Sequence, residues 1–312
     1  MMKCIASFLV VLSALVASAG PTPVFRVDFE KGVDGLDGAG GVVKPIRAEA
    51  ISYAKGLAGR ALIADSARLV YPASVIPADA GTIEIVVSPL QNGEGKEWMP
   101  FCGDAGKWGP SGIPKLWRWN GQPRFDLDAG GKTVYGGFPD WFDWSVGSWH
   151  VFTGTWDRRL GQAKFYLDGR YIGVKNVKPW ENEESVGFAV GHGIHINNKR
   201  ANSARALIDS VTVFDVPLTA TDIAQRARSL GIRPKRIAVV APHPAWKNLL
   251  RPEGAPGPEM HLTDGAKALF TILLPTESTS IEEKAAADIA EWLFEMTNAV
   301  FEIVHEGAAA PA

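Results

Sequence analysis

From Val24 to about Asp215 the chain alternates short runs rich in Val, Ile, Phe, Tyr and Trp with clusters of Gly, Pro, Asn and Asp, and no helical period emerges. Runs such as "VFRVDFE", "GTIEIVVSP", "KLWRWN", "PRFDLD", "SWHVFTGTWD", "QAKFYLD" and "ARALIDSVTVFD" have strand length and are bounded by turn signals. The pattern predicts a mainly β fold, a two-sheet antiparallel sandwich. Asn120-Gly121 and Asp168-Gly169 readily take positive φ angles and predict two tight hairpins. In "SWHVFTGTWD", Trp149, Val151, Thr153 and Thr155 alternate with His150, Phe152, Gly154 and Trp156, so both faces of this strand carry packing residues.

The pattern then changes. "PLTATDIAQRARSLG" predicts one short closing helix, with Thr219 as N-cap, Asp222 three residues on, Ile223, Ala227 and Leu230 at helical spacing, and Gly231 as the stop. Residues 232–264 are rich in Pro, Gly and basic residues and read as a linker, with a strand at "RIAVVA". Beyond it "KALFTILLP" predicts a strand. "SIEEKAAADIAEWLFEMTN" predicts a helix with a Ser280–Glu283 capping box and an apolar stripe of Ile281, Ala285, Ile289, Leu293 and Met296, and "AVFEIVHE" a second strand. One βαβ unit cannot cover both faces of a parallel pair, so residues 265–312 read as a partial α/β domain.

Composition supports a globular chain: 46% of the 312 residues are hydrophobic and 21% charged. A net charge of −2 gives no electrostatic reason to expect a nucleic-acid partner. At the N-terminus Lys3, the apolar run Ile5 to Val16 and Ala17-Ser18-Ala19 form a secretory signal peptide over residues 1–19. The expectation is a secreted protein, periplasmic or extracellular, with no membrane span once the signal is cleaved. Cleavage removes Cys4 and leaves Cys102 alone, so the sandwich, expected over residues 20–231, is held without an internal disulfide.

The order of "FRVDFE", "GLAGRAL", "GTIEIVVSP", "WHVFTGTWD", "AKFYLDGRYIG" and "ALIDSVTVFDVPLTATDI" over residues 24–230 resembles the laminin-G-like members of the concanavalin A-like jelly rolls. That resemblance implies a two-sheet module of the kind that recognises glycans or proteins and is often stabilised by calcium. "TILLPTESTSIEEKAAADIAEWLFEMTNAVFEIV", within residues 266–306, resembles the start of the small α/β domain that precedes the catalytic barrel in α-glucuronidases and hexosaminidase-like glycosidases. It implies a link to glycan processing.

Catalytic chemistry finds little support in the sequence. Retaining glycoside hydrolysis needs two carboxyl groups about 5–5.5 Å apart, and on the candidate strands only two partial matches at i, i+2 spacing occur, Asp28 with Glu30 and Asp126 with Asp128, neither with a third acid in register. No G-x-S-x-G elbow occurs, and Cys102 has no histidine partner recognisable in sequence. His192 and His195 lack the third ligand that a zinc site brings. A calcium ion is expected elsewhere. The first and last long strands of a jelly roll lie side by side, which would bring Asp28 or Glu30 near Asp209, an acidic position that the resemblance singles out.

Tryptophan carries the clearest functional signal. Seven of the eleven lie between Trp98 and Trp149. Trp108, Trp141 and Trp144 fall in Gly- and Pro-rich loops, with Asp140 and Asp143 as hydrogen-bonding neighbours, and form the candidate ligand platform. Trp119, Trp149 and Trp156 lie on strands and are expected in the core. The leading expectation is a non-catalytic module that binds a polysaccharide or glycoconjugate. An adhesive module with a protein partner and a cryptic glycosidase of the same fold are the alternatives.

Overall fold

The structure is a computed structural model that describes residues 21–92, 98–106, 113–119, 122–127, 133–135, 144–176, 185–194, 201–233, 261–264, 267–297 and 299–307. Its strands run β1 Phe25–Val27, β2 Gly35–Asp37, β3 Val42–Val43, β4 Arg47–Glu49, β5 Tyr53–Lys55, β6 Arg60–Ala64, β7 Arg68–Tyr71 and β8 Ala80–Pro89. Then follow β9 Met99–Asp104, β10 Lys115–Trp119, β11 Gln122–Asp126, β12 Thr133–Tyr135, β13 His150–Asp157, β14 Gln162–Leu167 and β15 Arg170–Asn176. The sandwich ends with β16 Phe188–Val190, β17 His192–Ile194, β18 Ala201–Ser203, β19 Ala206–Phe214 and the helix α1 Ala220–Ser229. The C-terminal unit holds β20 Thr263–Asp264, β21 Lys267–Ala268, β22 Ile272–Leu274, α2 Ser280–Thr297 and β23 Ile303–His305.

Two antiparallel sheets face each other, as the alternating pattern requires. The first has the order β15-β14-β13-β8-β19-β1-β2-β3, with β6 on β19 and β5 on β6; the second has the order β12-β11-β10-β9-β16-β7-β4. Period-two alternation turns Ile83, Ile85 and Val87 of β8, Phe152 and Trp156 of β13, and Val211 and Val213 of β19 into one core. Phe101, Leu116 and Phe125 meet them from the second sheet. Aromatic rings form the seam: Phe101 and Phe152 lie 4.9 Å apart, and Phe125 stacks on Phe165 at 6.4 Å. Gly154 lets the sheets approach there, because a Cβ at this position would run into the Phe125 ring.

The other face of the first sheet is covered by helices. The Thr219 capping box forms as expected and starts α1, whose Ala227 packs with Ile232 on Val86 and Val151. Arg226 makes two hydrogen bonds, 3.1 and 2.8 Å, to the buried Glu84 carboxylate. The helix thereby closes the sheet face that the double-sided pattern of β13 anticipated.

The C-terminal unit docks beside α1. Its parallel pair β22–β23, in register at Ile272↔Ile303, is connected through α2. Ala287 of α2 packs on the Tyr166, Tyr171, Phe214, Leu218 and Ile223 cluster, while Glu283 and Glu291 pair with Lys164 and Arg170 at 3.1 and 2.7 Å. Three expectations change here. The capping box is Thr279 with Glu282, one residue earlier, which leaves Glu283 to accept from Ser278 and Lys164. The predicted strand at "KALFTILLP" splits, since β21 turns back on β20 before β22 begins. The stripe led by Ile281 and Ile289 faces solvent together with Trp292, because the helix turns its small and acidic residues to the sandwich instead. The signal peptide, most of the linker and "RIAVVA" lie outside the described residues.

The seam makes a direct prediction. Gly154→Ala is expected to cost about 1–3 kcal/mol by overpacking, read as a lower urea midpoint at unchanged slope; an unchanged midpoint would refute the close approach.

Candidate functional site

The acidic cluster expected to hold calcium is assembled, but as a clasp. β1 pairs with β19, with Val27 opposite Val211, so Asp28, Glu30 and Asp209 come to the same end of the sheet. Asp209 Oδ1 accepts hydrogen bonds from the Leu57 and Ala58 amides at 2.7 and 3.2 Å, and Glu30 Oε1 from the Arg60 amide at 3.0 Å. Asp28 is tied to Arg26 at 2.7 Å. The two carboxylates of Asp209 and Glu30 thus grip the β5–β6 turn, where Gly56 and Gly59 leave room for them. Burial raises the Asp209 pKa, the turn amides lower it, and Glu30 and Asp28 raise it further. These amide bonds use one oxygen of each carboxylate, Asp209 Oδ1 and Glu30 Oε1, and among the described residues no three His, Cys, Asp or Glu side chains converge to hold a metal.

A second polar string went unread in the sequence. His150 Nδ1 lies 2.9 Å from Asp168 Oδ2 and Nε2 lies 2.9 Å from Ser148 Oγ, the order of a hydroxyl, an imidazole and a carboxylate in hydrolases. Its surroundings make it structural. His150 and Asp168 are buried, the Ser148 hydroxyl donates to the Ser145 carbonyl at 2.7 Å, and Asp168 Oδ1 accepts from the Val151 amide. The string fixes the Asp168-Gly169 turn, whose φ angles of 54° and 83° are those the Asp-Gly pair predicted. Residues 148, 150 and 168 share no sequence motif. Only the strand register brings them together.

The tryptophans sort differently from expectation. Trp144, expected in an open loop, is 8% exposed and lies in the core, its ring stacked on His150 at 5.8 Å and set 5.7 Å from Phe101. This corrects its place in the platform. Trp119, expected in the core, is 44% exposed. Parity explains the reversal: Leu116 and Phe125 point inward, so Lys115, Trp117 and Trp119 of β10 share the outer face with their partners Asp126, Arg124 and Gln122 of β11. Trp156 is in the core, as expected, whereas Trp149, also expected there, is only half-buried against the cluster that α1 covers. Trp108, Asp140, Trp141 and Asp143 lie outside the described residues, as does Asp128.

This outer face is a built surface. The Arg124 guanidinium sits 5.0 Å from the Trp117 ring and 4.6 Å from the Trp119 ring, and Trp98 meets Trp117 edge-on at 6.0 Å. Deeper on the same face, burial lowers the Lys115 pKa to about 8 against the pull of Asp126 and Asp104. The β17–β18 hairpin flanks the strip, with Gly193 against Trp98 and Pro100. His192 within it is held neutral by burial, which moves its pKa down to about 4, and its Nδ1 faces the Val190 carbonyl at 3.2 Å. Cys102 is a small buried group whose thiol is pushed up to about 12 by burial. On this face Trp119 is exposed and Gln122 partly exposed, while Lys115, Trp117, Arg124 and Asp126 are buried, so the strip offers one indole with an amide beside it.

An antiparallel jelly roll whose sheets pack face to face defines the class. Residues 65–224, just over half of the chain, match the family model of the concanavalin A-like lectin/glucanases superfamily, and the chain belongs to that superfamily. No curated protein sequence matches it. Among solved structures, domain 4 of a GH43 extracellular arabinanase from Geobacillus stearothermophilus, determined with arabinotriose, is 17% identical with a TM-score of 0.48, covering 66% of this chain and 98% of that one. The botulinum neurotoxin type G receptor binding domain is 14% identical with a TM-score of 0.50, over 67% of this chain and 51% of that one. The binding domain of botulinum neurotoxin serotype D/C is 13% identical with a TM-score of 0.50, over 67% and 52%. The chain spans about half the length of the two neurotoxin domains. Identities this low show the fold alone.

The clasp yields a test with a sign. A raised folded-state pKa means the native state holds the Asp209 proton more tightly than the unfolded chain, so this group loses stability as pH rises through the window just above the ordinary carboxylate value. Asp209→Asn is expected to keep the turn and flatten that dependence, whereas Asp209→Ala strands the Leu57 amide and costs about 1–3 kcal/mol. Melting curves against pH check both. Added calcium is expected to leave the wild-type melting temperature unchanged; a rise would return these acids to an ion.

Proposed function

We propose that this protein is a secreted, non-catalytic module that binds a polysaccharide or glycoconjugate on the outer face of β10–β11. The observation that carries the reading is the exposed Trp119 indole, backed by the Arg124 guanidinium at 4.6 Å on the face opposite the core. A sugar lays its apolar C–H face on such a ring, while the partly exposed Gln122 opposite it supplies a polar edge for its hydroxyls. The stack fixes the ring before a ligand arrives, which reduces the ordering cost of binding. By their sequence alone, Trp108, Asp140, Trp141 and Asp143 are the further ligand-binding residues of this proposal. Membership of a superfamily named for lectins and glucanases agrees with this ligand class.

Holding one polymer site raises the local concentration of whatever is attached to the module, an effect set by tether geometry. No catalytic step is assigned. Asp126 and Asp104 are both buried, with Lys115 held between their charges. A protein partner is a second reading, favoured by the exposed Ile281 and Trp292 side chains of α2, which have no role in holding a sugar.

A glycan array on the mature protein, with Trp119→Ala and Trp141→Ala beside it, tests the proposal. Binding is expected on the wild type, weakened at least about tenfold by each substitution, as for a central aromatic contact. Undiminished binding by both variants would remove the surface from these residues, and an empty array would favour the protein partner.

A further inference from the structure

A cleft of about 210 Å³ lies where α1, α2 and the start of β15 meet, apart from the sugar-binding face. Alanines line it from both helices, Ala220 and Ala224 on one side and Ala287 and Ala290 on the other, so its walls are apolar and close-set. Its polar groups are mainly cationic. Arg170, Arg228 and Arg233 line the cleft against two carboxylates, Asp168 and Glu291. Both acids are engaged: Asp168 accepts from Val151 and faces His150, and Glu291 binds Arg170 at 2.7 Å.

Two further features point to a ligand. Arg228 places its guanidinium carbon 3.5 Å from the centre of the Phe294 ring, a cation–π contact that fixes this wall of the cleft. Tyr171, also lining the cleft, is 4% exposed, and its buried hydroxyl has no hydrogen-bond partner among the described residues. Buried hydroxyls are almost always paired, so an orphaned one beside a cavity marks a donor that a bound molecule would use.

We infer that this cleft binds a small organic carboxylate, whose charged end is held by the Tyr171 hydroxyl and the Arg233 guanidinium and whose short apolar body lies between the alanines. The size suits one compact molecule rather than a polymer, being below the several hundred Å³ of common ligand pockets. Because the sandwich and the C-terminal unit each supply walls, the ligand clamps the two together and stabilises the docked arrangement by mass action.

Butyrate is the probe. Thermal melts of the full chain with increasing sodium butyrate, against sodium chloride at equal ionic strength, are expected to show a saturable rise in melting temperature. Tyr171→Phe, which keeps the ring and removes the unpaired hydroxyl, and Arg233→Gln, at an exposed position, are each expected to fold normally and to weaken the butyrate response at least about tenfold, as loss of a charge-assisted hydrogen bond would. A rise no larger than that with chloride, or a saturable rise that both variants retain in full, would overturn the site.

Discussion

The close approach of the two sheets at the Phe101–Phe125–Phe152–Phe165 seam is the constraint on which the rest of the structure depends. Those rings bury their faces only if Gly154 leaves room for Phe125. Once Phe125 and Leu116 are committed inward, strand alternation fixes what every neighbour on β10 and β11 must do. The outward set is Lys115, Trp117, Trp119, Gln122, Arg124 and Asp126. Core packing therefore places the surface that we assign to the ligand. Moving the register by one residue would bury Trp119 and expose Phe125.

The remaining surface is divided by the helices. α1 and α2 cover the outer side of the first sheet through the Tyr166 cluster and the Glu84–Arg226 pair, which is why the proposed ligand face is on the second sheet. Elsewhere the polar groups hold geometry. Asp209 and Glu30 grip a turn, and the Ser148–His150–Asp168 string locks the hairpin from which Arg170 extends to α2. Each of these constellations resembles a metal or catalytic site as an inventory of residues. Their hydrogen bonds to backbone groups assign them to the scaffold.

The fold was legible in the sequence because it depends on period and punctuation. Strand-length runs, Asp168-Gly169 and the Thr219 cap each encode a local conformation, and the structure contains them. The site was less legible because exposure depends on parity relative to a core that only pairing defines. Trp144 looked exposed from its Gly-rich surroundings, yet it returns to the core above His150; Trp119 looked buried because it lies on a strand, yet it ends a hairpin on the outward parity. Its partner Arg124 offered a usable signal. Three residues after Gly121, a basic residue opposite Trp117 and on the same face as Trp119 could have been deduced from a hairpin register alone.

The central claim is that Trp119 forms the contact surface while the core indoles do not. It is tested most directly by following the indole N–H resonances of the ¹⁵N-labelled protein as a glycan that it binds is titrated in. The account predicts a saturable shift of the Trp119 signal, with Trp144 and Trp156 unmoved; saturable binding that leaves Trp119 in place would contradict it.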